Sequence, residues 1–343
     1  MSDAQSLNLD AVRAFLRDIL AGFDGEITAT KFAHGQSNPT FLIATTAGNY
    51  VLRRKPPGVL LKSAHAVDRE FRVQSALAET RVPVTKMHLL CEDDAVIGSA
   101  FYVMDHVNGD TFDDPSLPKV ALENRAAMMG NMCRVLADLH QVDPAAVGLS
   151  DYGAPGNYCE RQTSRWAKQY YATETEKLTD MDRLITLLGE RLPADDGQRT
   201  LVHGDYRLDN LIFAKGGTDI HAVLDWELST LGHPFADLAG VIMQWQMPAG
   251  AEGRGLAGVD RAALGLPTDQ EFIANYCAHR GLNGIDDFGY YLAFCFFRMG
   301  AVLQGVKKRA LDGNASNPAK ALALGAHVPA FAAAGLKALK DTK

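Results

Sequence analysis

The segment Leu201-Val-His-Gly-Asp-Tyr-Arg-Leu-Asp-Asn210 constrains this chain more than any other stretch. A carboxylate, Asp205, stands five residues before an amide, Asn210. A second carboxylate, Asp225, follows inside Ala222-Val-Leu-Asp-Trp-Glu-Leu228. The spacing reads as H-x-D-x-x-x-x-N, then a β-hairpin turning at Lys215-Gly-Gly217, then a further Asp. Side chains so spaced can orient a hydroxyl and hold Mg²⁺ against nucleotide phosphates. The expectation is phosphoryl transfer from a nucleoside triphosphate to a hydroxyl.

Such transfer passes through a loose transition state, so the protein mainly positions reactants and neutralises charge. Asp205 would accept a hydrogen bond from the acceptor hydroxyl and take its proton late, help worth roughly 10²–10⁴ in rate. Asn210 offers a neutral oxygen and Asp225 an anionic one, both suited to Mg²⁺. Asp and Asn are also common turn formers; the joint spacing separates the two readings. His203 reads as a loop histidine, and the role of Asp209 is open. Asp237, in Leu231-Gly-His-Pro-Phe-Ala-Asp-Leu238, reads as a structural acceptor of buried N–H groups.

Upstream, the pattern is β-rich. Apolar spacing predicts a helix over residues 10–22. Strands follow at 27–32, 40–45 and 50–54, joined by the loop His34-Gly-Gln-Ser-Asn-Pro39 and the turn Ala47-Gly-Asn49. A helix over about 63–79, with Val67, Phe71, Gln74 and Ala78 on one stripe, precedes strands at 87–91 and 100–106. After Asn108-Gly-Asp110, helical patterns take over, including 119–141, 164–174 and most of the chain beyond 269, which ends in an Ala-rich helix after Pro318. This order predicts an α+β fold rather than alternating βαβ units.

Two features of the β-rich part bear on phosphates. Backbone N–H groups of the 34–39 loop can lie over phosphates, with Ser37 and Asn38 adding side-chain donors. On the third strand Val51, Arg53 and Lys55 share one face. Arg53 is always charged and can grip phosphate oxygens in a fork. Glu70 lies at the edge of the buried helix stripe, facing the sheet, where it could fix such a cation.

These pieces together resemble the aminoglycoside phosphotransferase-like family, relatives of protein kinases and choline kinases, over nearly the whole chain. The most specific stretches are HGDYRLDNL and AVLDWELSTLGHPFADLA. HGQSNPTF, YVLRRKPPG, SAHAVDREFRV and FYVMDHVNGD look especially like the kinase-like region joined to some acyl-CoA dehydrogenases. The resemblance implies a two-lobed protein kinase-like fold, with a small antiparallel N-lobe over residues 1–107 and a mainly helical C-lobe over 108–343. It implies ATP and Mg²⁺ as cofactors and Asp205 as the catalytic base. Asn210 and Asp225 match the metal ligands. Arg53 matches the phosphate-binding cation, in place of the usual Lys, and Glu70 its partner. Gly35, Ser37 and Asn38 fall on the nucleotide loop, and Met104, Asp105 and His106 on the hinge that meets adenine. The nucleotide loop lacks a Gly-rich pattern, and Asp225 is followed by Trp-Glu rather than Phe-Gly.

Bulk composition limits the partners. At 343 residues the chain has room for roughly two domains of about 150 residues each. A net charge of −7 with no long basic run argues against nucleic acid. Five scattered cysteines without a CxxC pair fit free thiols in a reducing cytoplasm. The most apolar window, Tyr290 to Phe297, is stopped by Arg298 and is too short to cross a bilayer. The acceptor is expected to be a small hydroxylated molecule, with a hydroxyacyl-CoA as one candidate; the oligomeric state stays open. The competing readings are a catalytically silent nucleotide-binding module and a metal-dependent phosphate-ester hydrolase built on His203, Asp205, Asp225 and His233.

Overall fold

The structure is a computed structural model and describes residues 7–32, 38–56, 66–250, 254–315 and 317–340. The chain forms two compact units. The first comprises Met1–Phe112 with Ala145–Leu149 and Asp209–Ser229; the second holds the remainder. The first unit thus draws in segments from well beyond residue 107.

In the first unit, a five-stranded antiparallel sheet has the order β1-β2-β3-β5-β4. Its strands are β1 (Thr28–Lys31), β2 (Thr40–Thr45), β3 (Gly48–Arg54), β4 (Met87–Cys91) and β5 (Phe101–Asp105). Side chains alternate across a strand, so β3 presents different residues to each face. Leu52 joins a core with Phe41, Ile43 and Phe101 that also takes Val12 and Leu16 from α1 (Leu9–Leu16). Val51 joins Tyr102 and Met104 on the other face, against Val67 of α2 (Val67–Leu77).

α1 is shorter than the apolar pattern predicts. Asn8 caps it by accepting the Ala11 N–H, and the chain leaves helical structure after Leu16. On α2 the buried stripe is Val67, Glu70, Gln74 and Leu77, with Val73 beside it. Ala78, expected on that stripe, is exposed. Between β4 and β5 the chain forms α3 (Asp94–Ile97), capped by Asp93 and ended by Gly98 at φ 83°. A hairpin of β7 (Leu211–Phe213) and β8 (Ile220–Val223) completes this unit. Asp110 pairs with Phe213, and Val223 N–H donates to Pro83 O.

The second unit is helical around one two-stranded ladder, β6 (Thr200–Val202) with β9 (Thr230–Gly232). Its helices are α4 (Leu122–His140), α5 (Tyr158–Thr173), α6 (Thr179–Glu190), α7 (Pro234–Trp245), α8 (Asp269–Arg280), α9 (Phe288–Leu311), α10 (Pro318–Gly325) and α11 (Val328–Ala338). α9 is the central one, packed by α5, α7, α10 and α11. The helix continues past Arg298, the charged residue that closes the apolar window. α8 begins at a capping box in which Thr268 and Glu271 satisfy each other's backbone N–H. Pro318–Ala338 is apolar and long enough by composition to cross a membrane, at mean hydropathy 1.3. A turn at 326–327 splits it into α10 and α11, both packed on α9, where the sequence pattern predicts one helix.

Candidate active site

The first unit gathers five of the residues picked out from the sequence: Asn38, Arg53, Glu70, Asn210 and Asp225. Arg53 pairs across the sheet with Tyr102 of β5, so both side chains rise from one face. That face is covered by α2, and Glu70, in the middle of the buried stripe, meets them. Arg53 Nε lies 2.9 Å from Glu70 Oε2. Tyr102 donates its hydroxyl to the same oxygen at 3.0 Å, and Asn38 donates its amide to Oε1 at 2.9 Å. Asn38 is fully buried and uses this amide on Glu70.

The other end of the guanidinium meets the metal-ligand candidate. Arg53 Nη2 donates to Asp225 Oδ1 at 2.9 Å, and Glu227 Oε2 stands 3.7 Å from the same nitrogen. Asp225 has φ 64°, a left-handed conformation that Asp tolerates better than most residues. The turn is locked from behind by Trp226, whose indole N–H donates to Val223 O at 2.9 Å, and by Ser229, whose hydroxyl donates to Trp226 O at 2.6 Å. Asn210 is buried beside this turn, with its carbonyl accepting the Leu224 N–H at 2.8 Å. The amide oxygen of Asn210 and the carboxylate of Asp225 are hard oxygen donors, the type that Mg²⁺ takes alongside several waters.

Burial pushes the Glu70 carboxyl up to about 7, against the pull of Arg53 and the Tyr102 hydroxyl, with Asp225 adding to the push. Burial also works against the Arg53 charge. Glu70 first, then Tyr102, Asp225 and Glu227, more than offset it, and Arg53 is held above its ordinary value. Lys55, on the same face by alternation, is one-third exposed and reaches Asp68 at 3.6 Å instead.

Gly35 and Ser37 lie outside the described residues. Met104 is buried, and Thr85 donates its hydroxyl to the Met104 sulfur at 3.1 Å. Asp105 N–H donates to Lys86 O, and His106 N–H to Asn49 O. Neither N–H is therefore a spare donor for a base. The Asp105 carboxylate pairs with His88 Nε2 at 2.6 Å.

Asp205 belongs to the second unit, where a buried chain of polar groups supports its loop. Asp237 on α7 accepts the His203 N–H at 2.5 Å and the Gly204 N–H at 2.8 Å. His140 Nε2 lies 3.4 Å from the same carboxylate, and its Nδ1 lies 2.7 Å from the Tyr276 hydroxyl. Arg280 donates to that hydroxyl at 2.7 Å. Burial opposes the Asp237 charge, yet the hydrogen bonds and charges of His140, with His203 and the Gly204 N–H, hold it below the ordinary carboxylate range. His203 is fully buried, and its Nδ1 accepts the Asp205 N–H at 3.2 Å. Tyr206 donates its hydroxyl to Met132 O at 2.9 Å. The Asp205 carboxylate is part-exposed, with Arg207 Nε at 3.5 Å.

A cavity of about 160 Å³ in the second unit is lined by Arg161, Asp196, Arg199, His233 and Tyr291, among others. It meets the chain where Arg199 enters β6, whereas Asp205 follows the opposite end of that strand. On α5, Arg165 and Lys168 are exposed.

A sequence profile of the phosphotransferase enzyme family matches residues 28–272. The chain belongs to that family. Acyl-CoA dehydrogenase family member 10 of Mus musculus is 45% identical to this phosphotransferase over 310 residues, which take in 90% of the chain but 29% of that protein. The chain spans well under half the length of the curated relatives it matches. A solved structure from Ralstonia eutropha JMP134, named provisionally as an aminoglycoside phosphotransferase, is 44% identical, with a TM-score of 0.90 over 98% of this chain and 100% of that one. A thermostable mutant of the aminoglycoside phosphotransferase APH(4)-Ia, solved with AMP-PNP and hygromycin B, is 17% identical, with a TM-score of 0.62 over 97% of this chain and 99% of that one. The last likeness shows the fold alone: the phosphotransferase has the kinase-like α+β fold expected for it.

Asp237 accepts buried N–H groups, as read from the sequence, while Tyr102, Glu227 and His140 extend that set. Tyr102 was within reach of the alternation on β5, which puts it on the face of Met104. Glu227 lies two residues past Asp225, but only the turn geometry brings it toward Arg53.

Proposed function

We propose that this phosphotransferase moves the γ-phosphoryl group of ATP to a hydroxyl of a small molecule, with Mg²⁺ bound at Asn210 and Asp225. Residues 1–107 would act as the nucleotide-binding lobe, with Gly35, Ser37 and Asn38 on the nucleotide loop and adenine at Met104–His106. Residues 108–343 would supply the catalytic loop and the acceptor site. Bound Mg²⁺ supplies charge neutralisation across the phosphates. Arg53, aimed by Glu70, holds the α- and β-phosphates. Asp205 orients the acceptor hydroxyl and takes its proton as the new P–O bond forms.

One observation carries this reading. A single, largely buried guanidinium is ion-paired at one end with a helix glutamate and hydrogen-bonded at the other to the carboxylate proposed for the metal. The match to a protein named as an acyl-CoA dehydrogenase favours a hydroxyacyl-CoA as acceptor. The five cysteines are unpaired and buried, which supports a reducing compartment such as the cytoplasm.

The deciding experiment mixes protein, ATP and Mg²⁺ with a panel of hydroxylated metabolites that includes hydroxyacyl-CoA thioesters. ADP should appear in step with a product heavier by one phosphate group. Free phosphate without a phosphorylated product would instead point to hydrolysis, and nucleotide binding without turnover to a silent module.

A further inference from the structure

α9 is buried at every position from Tyr290 to Phe297, and the next residue is Arg298. A guanidinium beside so apolar a run is costly unless it has a partner. Arg298 Nη2 donates to the carbonyl oxygen of Gly204 at 3.2 Å, and the guanidinium carbon stands 6.0 Å from the centre of the Phe294 ring.

Gly204 is thereby held at both ends. Its N–H donates to Asp237 and its carbonyl accepts from Arg298. Its φ is 85°, a backbone conformation that glycine adopts without strain. The carbonyl that Arg298 grips belongs to the peptide leading into Asp205. Turning that peptide would swing the Asp205 carboxylate with it. Burial works against the Arg298 charge, but the groups facing it, Cys295, Tyr158, Asp237 and Asp205, hold it above its ordinary value. The cation is therefore a permanent fixture of the loop.

We propose that Arg298 is a positioning residue: by holding the Gly204 carbonyl, it sets the Asp205 carboxylate in the orientation from which it receives the acceptor's proton. This rests on the reading of Asp205 as the base. It gives a charged residue in a buried helix a task in turnover rather than in packing.

The test uses the full chain and its variants Asp205→Asn, Arg298→Met and Arg298→Lys, with Mg·ATP as the probe and water as acceptor. ADP release gives kcat and KM; amide hydrogen exchange reports on residues 203–207. Arg298→Met should lower kcat by roughly 10²-fold and leave KM for Mg·ATP within about twofold, as expected for a misplaced catalytic group. Exchange at Gly204 and Asp205 should quicken while Phe101–Asp105 exchanges as in the wild type. Arg298→Lys keeps the charge and one donor, and should recover most of the lost kcat. Unchanged kcat or unchanged exchange at 204–205 in Arg298→Met would overturn the inference. So would a raised KM at normal kcat, or a Lys variant as slow as the Met variant. Wild-type ADP release by Asp205→Asn would instead overturn the base assignment beneath it.

Discussion

Arg53 donates to Asp225 at 2.9 Å while its Nε faces Glu70 at the same distance. One side chain therefore ties the central strand of the sheet, the covering helix and the turn after β8 into a single charged cluster. Removing it would leave Glu70, which is 1% exposed, in a buried site without its cationic partner. Arg53→Met should cost about 3–5 kcal/mol of stability, the usual penalty for breaking one side of a buried pair. The urea midpoint of the variant measures this, and a midpoint equal to wild type would show that the cluster contributes nothing to the fold.

Asp205→Asn keeps the size and most of the hydrogen bonding of the side chain but cannot take a proton. ATP affinity should persist, and turnover should fall by roughly 10²–10⁴. Titration of ATP by fluorescence or calorimetry, beside steady-state ADP release, separates the two quantities. Turnover near the wild-type rate would discredit Asp205 as the base.

Asp225→Ala removes the anionic oxygen from the pair proposed for Mg²⁺. Activity that depends on Mg²⁺ should vanish across the whole range of metal concentration. A variant whose rate still rises with Mg²⁺ as the wild type's does would place the metal elsewhere.

The buried pair His140 and Asp237 predicts acid lability. Burial holds the His140 imidazole below its ordinary value, against the hydrogen bond to Asp237. The unfolded chain takes up that proton near pH 6.5, before the folded protein does. Stability should therefore decline as pH falls below about 6.5. Asp237 adds a later loss: its depressed carboxyl contributes stability above about pH 3.9, which disappears as pH drops through the folded value. Glu70 runs the other way: its carboxyl, at about 7 in the folded protein, takes up a proton there first, so its contribution to stability rises as pH falls. Between pH 8 and pH 5 the loss of urea midpoint toward acid should therefore be greater in wild type than in His140→Gln, and identical profiles would contradict the linkage.

The strands of the sheet were legible because alternation and turn residues agree: β2 and β4 keep their predicted bounds, and β3 and β5 differ by a residue or two. The pairing of Arg53 with Glu70 was legible for the same reason, since alternation fixes the strand face and helical spacing the other side. What the pattern could not reveal depends on distant partners. The stripe on α2 is rotated from the one read from Phe71 and Ala78, because a charged residue, Glu70, occupies its centre and hydrophobicity does not mark it. β9 is three residues long and exists as a strand through its pairing with β6. The division of the Ala-rich C-terminal stretch into α10 and α11 follows their packing on α9, and alanine alone signals no break. Asp237 was legible as a buried acceptor, but its link through His140 to Tyr276 and Arg280 spans residues far apart in the chain.

The hairpin of β7 and β8 begins at Leu211, more than a hundred residues downstream of the last strand of the five-stranded sheet in its unit, and both Asp110 and Pro83 bond to it. On the ribosome, the amino-terminal sheet emerges long before those partners exist. Its unit cannot finish assembling until residue 229 has been synthesised, so a fragment cut at residue 112 would leave those bonds unmade.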